Sequence, residues 1–285
     1  VFYIGCPIWG YKEWIGTFFP PHTPQKDFLR LYSQKLTAVE GNTTFYAVPP
    51  AATVARWRQD TPETFRFCFK IPRDISHSGL LAEAKEATQA FIQRMQGLGE
   101  RLGPMFLQLP PSFGPDHLPQ LQAFLNFWPQ TPRLAVEVRH PAFFSEPHAS
   151  ALDNLLKAHQ AGRVLMDTRP IRTGTAEERQ VLQARERKPD LPVMTVVTSD
   201  FAFVRYIGHP RMEVNEPFLV TWAQQIATWL RQGITIFAFC HCPFEVHSPH
   251  ICLQLYRRVQ ALVSLPALPW QKESIDSEPE QPTLF

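Results

Sequence analysis

The segment LAVEVR (134–139) alternates, with Val136 and Val138 on one face of an extended run and Ala135, Glu137 and Arg139 on the other. The valines suit an apolar layer beneath helices, so Glu137 and Arg139 face the other way, at the end of the run and just before a loop. Further short apolar, β-branched or aromatic runs follow the same plan: FYIGC (2–6), TAVEGN (37–42), FRFCFKI (65–71), PMFLQL (104–109), RVLMD (163–167), AFVRYI (202–207) and ITIFAF (234–239). Nearly every run ends in a polar or charged residue, and the stretches between them are long enough for a helix. Eightfold strand–helix alternation predicts an α/β fold of the (βα)8 TIM-barrel type, eight parallel strands with surrounding helices.

Helical periodicity and stop signals fill the intervals. Thr23 as N-cap and Pro24 at N1 predict a helix to about Lys35, buried along Phe28, Leu29, Tyr32 and Leu36. A second helix is expected over Ala51 to Gln59 with Val54 and Trp57 inward, and a longer third from Leu81 to Arg101, closed by Gly103-Pro104. Others are expected near 116–127, 147–160, 176–187, 216–232 and 249–263, with Gly162 and Gly233 as C′ glycines. The connection from Thr168 to Asp200 is irregular, carrying a basic segment (Arg179 to Lys188) and VMTVV (193–197). It is read as an excursion over the barrel. The domain reading is a barrel over 1–264 and a flexible, proline- and acid-rich tail over 265–285.

A chain of 285 residues suits one barrel of roughly 250 residues. A hydrophobic content of 44% suffices for a continuous core, and a net charge of +2 gives no strong steering field toward polyanions. No run approaches the roughly 20 apolar residues of a membrane span, so no membrane association is expected. No signal peptide is expected in the residues present. Five cysteines, an odd number with one C-x-C, argue against a disulfide framework and fit a reducing cytoplasm, the expected location.

Barrels of this kind carry their chemistry at the C-terminal strand ends. There the sequence offers Glu40, Asn42, Lys70, Gln108, Glu137, Arg139, Asp167, Arg205 and, past the last run, His241. Parity puts Glu40 and Asn42 on one face and sends Lys70, Gln108, Asp167 and Arg205 inward, while Cys240 and Cys242 compete with His241 for the inner face. Glu40, Glu137, Asp167 and His241 are the candidate catalytic residues. Trp9, Asn42, Tyr46, Lys70, Arg73, Gln108, Arg139, His140 and Arg205 are the candidate ligand-binding residues. The bland alternative is a structural layer of paired buried charges. Aromatic residues crowd the same rim (Trp9, Tyr11, Trp14, Phe18, Phe19, Phe45, Tyr46, Phe113, Phe143, Phe144). Most are expected to pack loops, leaving one or two to stack on a sugar or base.

Five blocks in order resemble the YecE-like proteins, a domain of unknown function. They are IGC-PIWG-YKEWIGTFFP, VEGNTTFYAVPP, FRFCFKIPRDISH (65–77), LGPMFLQLPPSF (102–113) and AVEVRHPAFF (135–144). The resemblance spans residues 2–263 and implies a (βα)8 barrel. It implies no reaction. Where many relatives carry an Asn-Asn pair after strand eight, this chain reads CHCPFEVHSPH (240–250).

Several chemistries can be weighed on the residues. His77, His140, His209, His241, His247 and His250, with Glu40, Glu137 and Asp167, could assemble a metal site. Yet no H-E-x-x-H or C-x-x-C spacing occurs, so no cofactor is expected and a divalent metal is the minor alternative. Glycoside hydrolysis needs an acid of raised pKa, and Lys70, Arg139 and Arg205 would hold Glu40 and Glu137 ionised. No phosphate-binding glycine loop and no G-x-S-x-G elbow is present. Lys70, Arg73, Arg139, Arg205 and the histidines make a basic mouth. The leading expectation is therefore a hydrolase-like barrel for a phosphate-bearing small molecule or nucleic acid. A carbohydrate-active hydrolase or isomerase is the second reading and a non-catalytic binding module the third. Finally, Gln281, Leu284 and Phe285 end the chain as Q-x-x-L-F, which resembles the peptide that docks on the bacterial sliding clamp, a candidate partner.

Overall fold

In the computed structural model, residues 1–77, 79–174 and 178–271 are described. Eight strands, β1 (Phe2–Cys6), β2 (Ala38–Gly41), β3 (Arg66–Phe69), β4 (Met105–Gln108), β5 (Leu134–Glu137), β6 (Gly162–Asp167), β7 (Phe201–Ile207) and β8 (Thr235–His241), follow in the order β3-β2-β1-β8-β7-β6-β5-β4. Every ladder is parallel. The ring closes between β3 and β4 through two isolated bridges, Phe67 to Leu102 and Lys70 to Phe106. The fold is the (βα)8 barrel expected.

The helices are α1 (Phe28–Ser33), α2 (Ala51–Gln59), α3 (Arg73–Ser76), α4 (Lys85–Met95), α5 (Leu118–Phe127), α6 (His148–Ala158), α7 (Arg169–Arg172), α8 (Arg179–Arg187), α9 (Met212–Arg231) and α10 (Ser248–Gln260). The stripe Phe28, Leu29, Tyr32 and Leu36 is buried as expected. The helix itself begins later, because Thr23 donates to the Pro20 carbonyl instead of capping, and a 3-10 turn (Gln25–Asp27) precedes α1. The long helix expected over 81–101 is α4 between two 3-10 stretches, broken where Gly99 takes φ 59 and ψ −135. Gly233 has the positive φ of a C′ glycine, but before β6 that conformation falls to Gln160 (φ 53). Gly162 lies inside β6, where a Cβ would stand 2.7 Å from the Phe201 ring. It is needed for close approach.

Alternation gives the barrel two apolar zones. Inside, Ala38, Cys68, Phe106, Ala135, Val164, Phe201, Phe203, Phe237 and Phe239 form a plug. Each buried ring contributes roughly 1.5–3 kcal/mol by its removal from water. Outside, Val39, Phe67, Phe69, Leu107, Val136, Val138, Leu165, Val204 and Ala238 meet the helices. The excursion between β6 and β7 departs from the helical plan. Its α7 and α8 stay at the C-terminal end, where Val181 and Ile171 pack on Ile207, and Val193, Met194 and Val197 then pack on the outer core as non-helical chain.

At one seam a side chain enters the sheet. The Tyr32 hydroxyl accepts from the Cys6 N–H at 2.6 Å and donates to the Ala38 carbonyl at 2.9 Å, bridging β1 to β2. The expected tail boundary moves. Leu268 is buried, Trp270 packs edge-on against Phe18 at 5.0 Å, and the Tyr256 hydroxyl donates to the Pro266 carbonyl, so residues 265–271 belong to the packed body. Gln281, Leu284 and Phe285 lie outside the described residues. Among the described residues no helix is long and apolar enough to cross a membrane, and all five cysteines are free and buried.

Candidate functional site

Directly above the phenylalanine plug, the next inward residues are polar. Ala38 is followed by Glu40, Cys68 by Lys70, Phe106 by Gln108, Ala135 by Glu137, Phe203 by Arg205 and Phe239 by His241, each two positions on. All six side chains are buried. Side-chain hydrogen bonds gather most of them: Arg205 reaches both Glu40 and Glu137, and His241 reaches Glu40, while Gln108 pairs with Glu137 in register. His241 takes the inner face, and Cys240 and Cys242 pack outward into the main core.

Arg205 is the hub. Its Nε and Nη2 donate to Glu40 at 2.8 and 2.6 Å, its Nη1 donates to Glu137 at 2.5 Å, and its guanidinium lies 5.1 Å from the centre of the Phe106 ring. Arg139 donates to Glu137 at 2.7 Å and to the Gln108 carbonyl oxygen at 2.8 Å. Asn42 donates to Glu40 at 2.8 Å. Burial pushes the Glu137 carboxyl up, but Arg205 and Arg139 outweigh it and hold it at about 2. Glu40 behaves alike: burial is opposed by Arg205 and His241, and its pKa falls well below the carboxylate range. His241 is held down to about 4, chiefly by burial, so at neutral pH it is uncharged and its Nε2–H donates to Glu40 at 3.2 Å.

Two lysines face this layer. Lys70 projects its Nζ to 3.6 Å from the centre of the Phe45 ring, and Lys188 follows α8 on the excursion. Burial and then Arg205 lower Lys70 to about 7 and Lys188 to about 8. Among the described residues neither ammonium has a carboxylate within ion-pair distance. Burial also raises the Glu245 carboxyl, just past β8, to about 7, and the Ser248 hydroxyl donates to it at 2.6 Å. Sequence reasoning missed Lys188 and Glu245, since both sit on loops without periodicity. The clues were positional: Lys188 ends the basic segment before Pro189, and Glu245 stands three residues after Cys242.

The structure thus brings together Glu40, Asn42, Lys70, Gln108, Glu137, Arg139, Arg205 and His241. Asp167 is a correction. Met166 pairs with the inward Arg205 and Asp167 with Tyr206, so the Asp167 carboxylate points outward, accepting from the Trp222 indole at 2.8 Å and from Arg169. Trp9 is another. Its indole packs edge-on against Trp57 and Phe67 at 5.3 and 6.2 Å, in the helix layer rather than at the mouth. The His140 Nδ1 accepts from the Ala142 N–H and caps its own loop. Arg73 is exposed at the start of α3, and Tyr46, 81% exposed, stands edge-on to Phe45 at the rim. The described residues gather no three His, Cys, Asp or Glu groups able to hold a metal.

A cavity of about 10 Å³ beside Glu137, lined by Phe144, Met166, Thr168, Pro189 and Met194, has room for about one water. A larger cleft, about 590 Å³, lies among Trp128, Arg133, His159 and Asp200 at the other end of the strands. The C-terminal end is the chemical end of this fold, and the buried polar layer is there.

The chain matches the family described as Protein of unknown function DUF72 over residues 3–273. It is 34% identical over 274 residues to the UPF0759 protein YecE of Escherichia coli (strain K12), covering 94% of this chain and 98% of that protein. A shorter match, 38% over 68 residues, joins it to the UPF0759 protein YunF of Bacillus subtilis (strain 168), covering 24% of this chain and 23% of that protein. Crystal structures of DUF72 family proteins share the fold. One from Enterococcus faecalis V583 superposes with a TM-score of 0.70 at 17% identity, covering 94% of this chain and 97% of that one. One from Thermotoga maritima MSB8 gives 0.69 at 22%, covering 91% and 99%.

Proposed function

The chain belongs to the DUF72 family of proteins of unknown function, and from that premise we propose that its barrel mouth binds a phosphate-bearing small molecule. One observation carries the reading: Lys70 and Lys188 are surplus cations above a layer whose carboxylates are already taken. Glu40 and Glu137 are matched by Arg205 and Arg139. A phosphomonoester carries roughly two negative charges above its second pKa of about 6, which balances two ammoniums. Burial and the neighbouring guanidiniums disfavour the charged lysines, and an anion beside them reverses that penalty, so binding takes up protons near pH 8. The Gln108 amide nitrogen and the rim residue Arg73 add donors, while Asn42 spends its amide on the Pro7 carbonyl and Glu40.

Hydrolysis at this mouth would draw its acid from Glu245, whose carboxyl is held up to about 7, and not from Glu40 or Glu137. The carbohydrate reading is weaker, because its stacking platform, Trp9, packs among Trp57 and Phe67. A small ligand is preferred to a long nucleic acid, since the net charge of +2 supports no broad footprint. Calorimetry with inorganic phosphate at pH 8, in two buffers of different ionisation enthalpy, tests the reading. Saturable binding with proton uptake, lost on replacing both Lys70 and Lys188 with Met, is the expected result. Absence of binding, or binding unaltered in the double variant, would reject it.

A further inference from the structure

The chain between α8 and β7 is anchored at its two ends and loosely held between them. Val181 of α8 packs with Ile171 and Ile207 at the C-terminal end of the strands. At the other end the Thr198 hydroxyl donates to the Ala161 carbonyl at 2.7 Å and accepts from the Arg163 N–H at 2.8 Å. Between these anchors, residues 189–197 have no regular structure and make no backbone–backbone hydrogen bond with any described residue. A segment with so few main-chain bonds opens at a free energy well below that of global unfolding.

This segment roofs the polar layer. Pro189, Leu191 and Met194 line the small cavity beside Glu137 together with Met166, which pairs with Arg205 across β6 and β7. Lys188, at the head of the segment, lies near enough to Arg205, Glu40 and Glu137 for their charges to act on its ammonium. With the roof in place Glu137 is 2% exposed and Arg205 3%, and the cavity of about 10 Å³ has room for about one water. A phosphate group does not fit there.

Two side chains hold the roof down, and Arg172 of α7 is the stronger. Its Nη2 donates to the Lys188 carbonyl at 2.7 Å and to the Arg185 carbonyl at 3.1 Å. These carbonyls lie at the end of α8, where no further turn supplies donors, so the guanidinium closes the helix and fixes where Lys188 leaves it. Its Nε also stands 3.2 Å from Asp190, a pair that contributes little because that carboxylate is 76% exposed. The other tie is the Thr168 hydroxyl, which donates to the Pro189 carbonyl at 3.1 Å.

We propose that residues 188–194 form a lid over the barrel mouth, latched by Arg172, which lifts to admit the ligand. The inference rests on the reading of the mouth as a binding site and adds how that site is reached. Lifting breaks the bonds of Arg172 and Thr168 and leaves both anchors in place. Lys188 rides on the lid while Lys70 stays with the barrel, so closure brings the second ammonium onto a ligand already held by the first.

Val138 lies under the lid, 5% exposed and lining the same cavity, and Val138→Cys places a thiol there. The native Cys252, fully buried in the outer core, reports general unfolding in the same molecule. The full-length variant is treated with methyl methanethiosulfonate and mapped by mass. The introduced thiol should react at least roughly tenfold faster than Cys252, and its rate should respond less to low urea, as local opening does. Adding Arg172→Ala should speed the introduced thiol roughly tenfold further and leave Cys252 unchanged, with Arg172→Lys between the two. Equal rates and urea dependence at the two thiols, or equal acceleration of both by Arg172→Ala, overturn the lid. A second measure avoids the introduced thiol: brief thermolysin digestion should nick the chain within 189–197, roughly tenfold faster in Arg172→Ala than in wild type. A segment that survives equally long in both proteins overturns the lid as well. Inorganic phosphate should slow reaction at position 138 by closing the lid. A rate indifferent to phosphate, with the Arg172 effect intact, supports the lid and removes the anion reading alone.

Discussion

Arg205 holds Glu40 with two guanidinium nitrogens, at 2.8 and 2.6 Å, although 165 residues separate them in the chain. With Glu137 on its third nitrogen, it joins strands from three parts of the barrel in one buried ion cluster. Arg205→Met leaves two carboxylates buried without their main partner and should cost about 3–5 kcal/mol, read as a lower urea midpoint. The triple variant Arg205→Met, Glu40→Gln, Glu137→Gln should regain part of that loss. Glu137→Gln should be milder than Glu137→Ala, because Gln keeps the shape and some of the hydrogen bonding. A single Arg205 variant as stable as wild type would mean that the layer is solvated.

Stability should depend on pH through Lys70. Its folded pKa, about 7, lies below the ordinary 10.5, so between those values the unfolded chain binds more protons. Stability therefore rises as pH is raised through that window, and below about 7 the penalty is fully present. Lys70→Met should reduce this slope to the share that Lys188 contributes above about 8, and stabilise the protein at pH 7, where burying the ammonium is unfavourable. Denaturation curves for both proteins across pH 6.5–10 check the sign.

On the acid side the order reverses. Glu137 has a folded pKa of about 2 against an ordinary 4.5, so its contribution is present above 4.5 and drains away as pH falls toward 2. Glu245 acts oppositely: held at about 7, it favours the fold most below 4.5 and loses that contribution as pH rises to 7. Glu245→Gln should flatten that decline, which acid titration of the melting temperature can follow.

Trp222→Phe tests the outward assignment of Asp167. The change removes one N–H donor from a buried carboxylate that keeps Arg169, at a cost of about 1–3 kcal/mol. Phosphate affinity at the mouth should not change. A loss of affinity with unchanged stability would return Asp167 to the site.

The barrel was legible because its strands keep strict parity: phenylalanine, alanine or cysteine in the plug, then one polar residue two positions on. That rule reads Glu40, Lys70, Gln108, Glu137 and Arg205 correctly, and His241 once β8 extends past Phe239. It fails at Asp167 because polarity at a strand end was taken for inward direction, whereas counting from Val164 selects Met166. Lys188 and Glu245 reach the mouth through the path of loops, which no periodicity encodes. Trp9 was misplaced for the same reason: a loop aromatic has no parity to read.

Tyr32→Phe should act on the site from a distance. It leaves the buried Cys6 N–H and Ala38 carbonyl without their bridging hydroxyl, two residues before Glu40, and should cost about 1–3 kcal/mol. Hydrogen exchange at Cys6 should accelerate relative to Phe2 in the variant.

The weak closure between β3 and β4 gives the ring a clasp. Seven junctions are laddered, while this one is fastened by the Gly103 N–H on the Phe67 carbonyl and the Ile71 N–H on the Phe106 carbonyl. The second fastening is the peptide adjoining Lys70. Arg205, held by Glu40 and Glu137, spans β2, β5 and β7, none of which borders that seam. The charge cluster and the Lys70 amine thus belong to different parts of the ring: the cluster ties three strands away from the seam, and the amine stands at the strand end that the seam's second bond fastens.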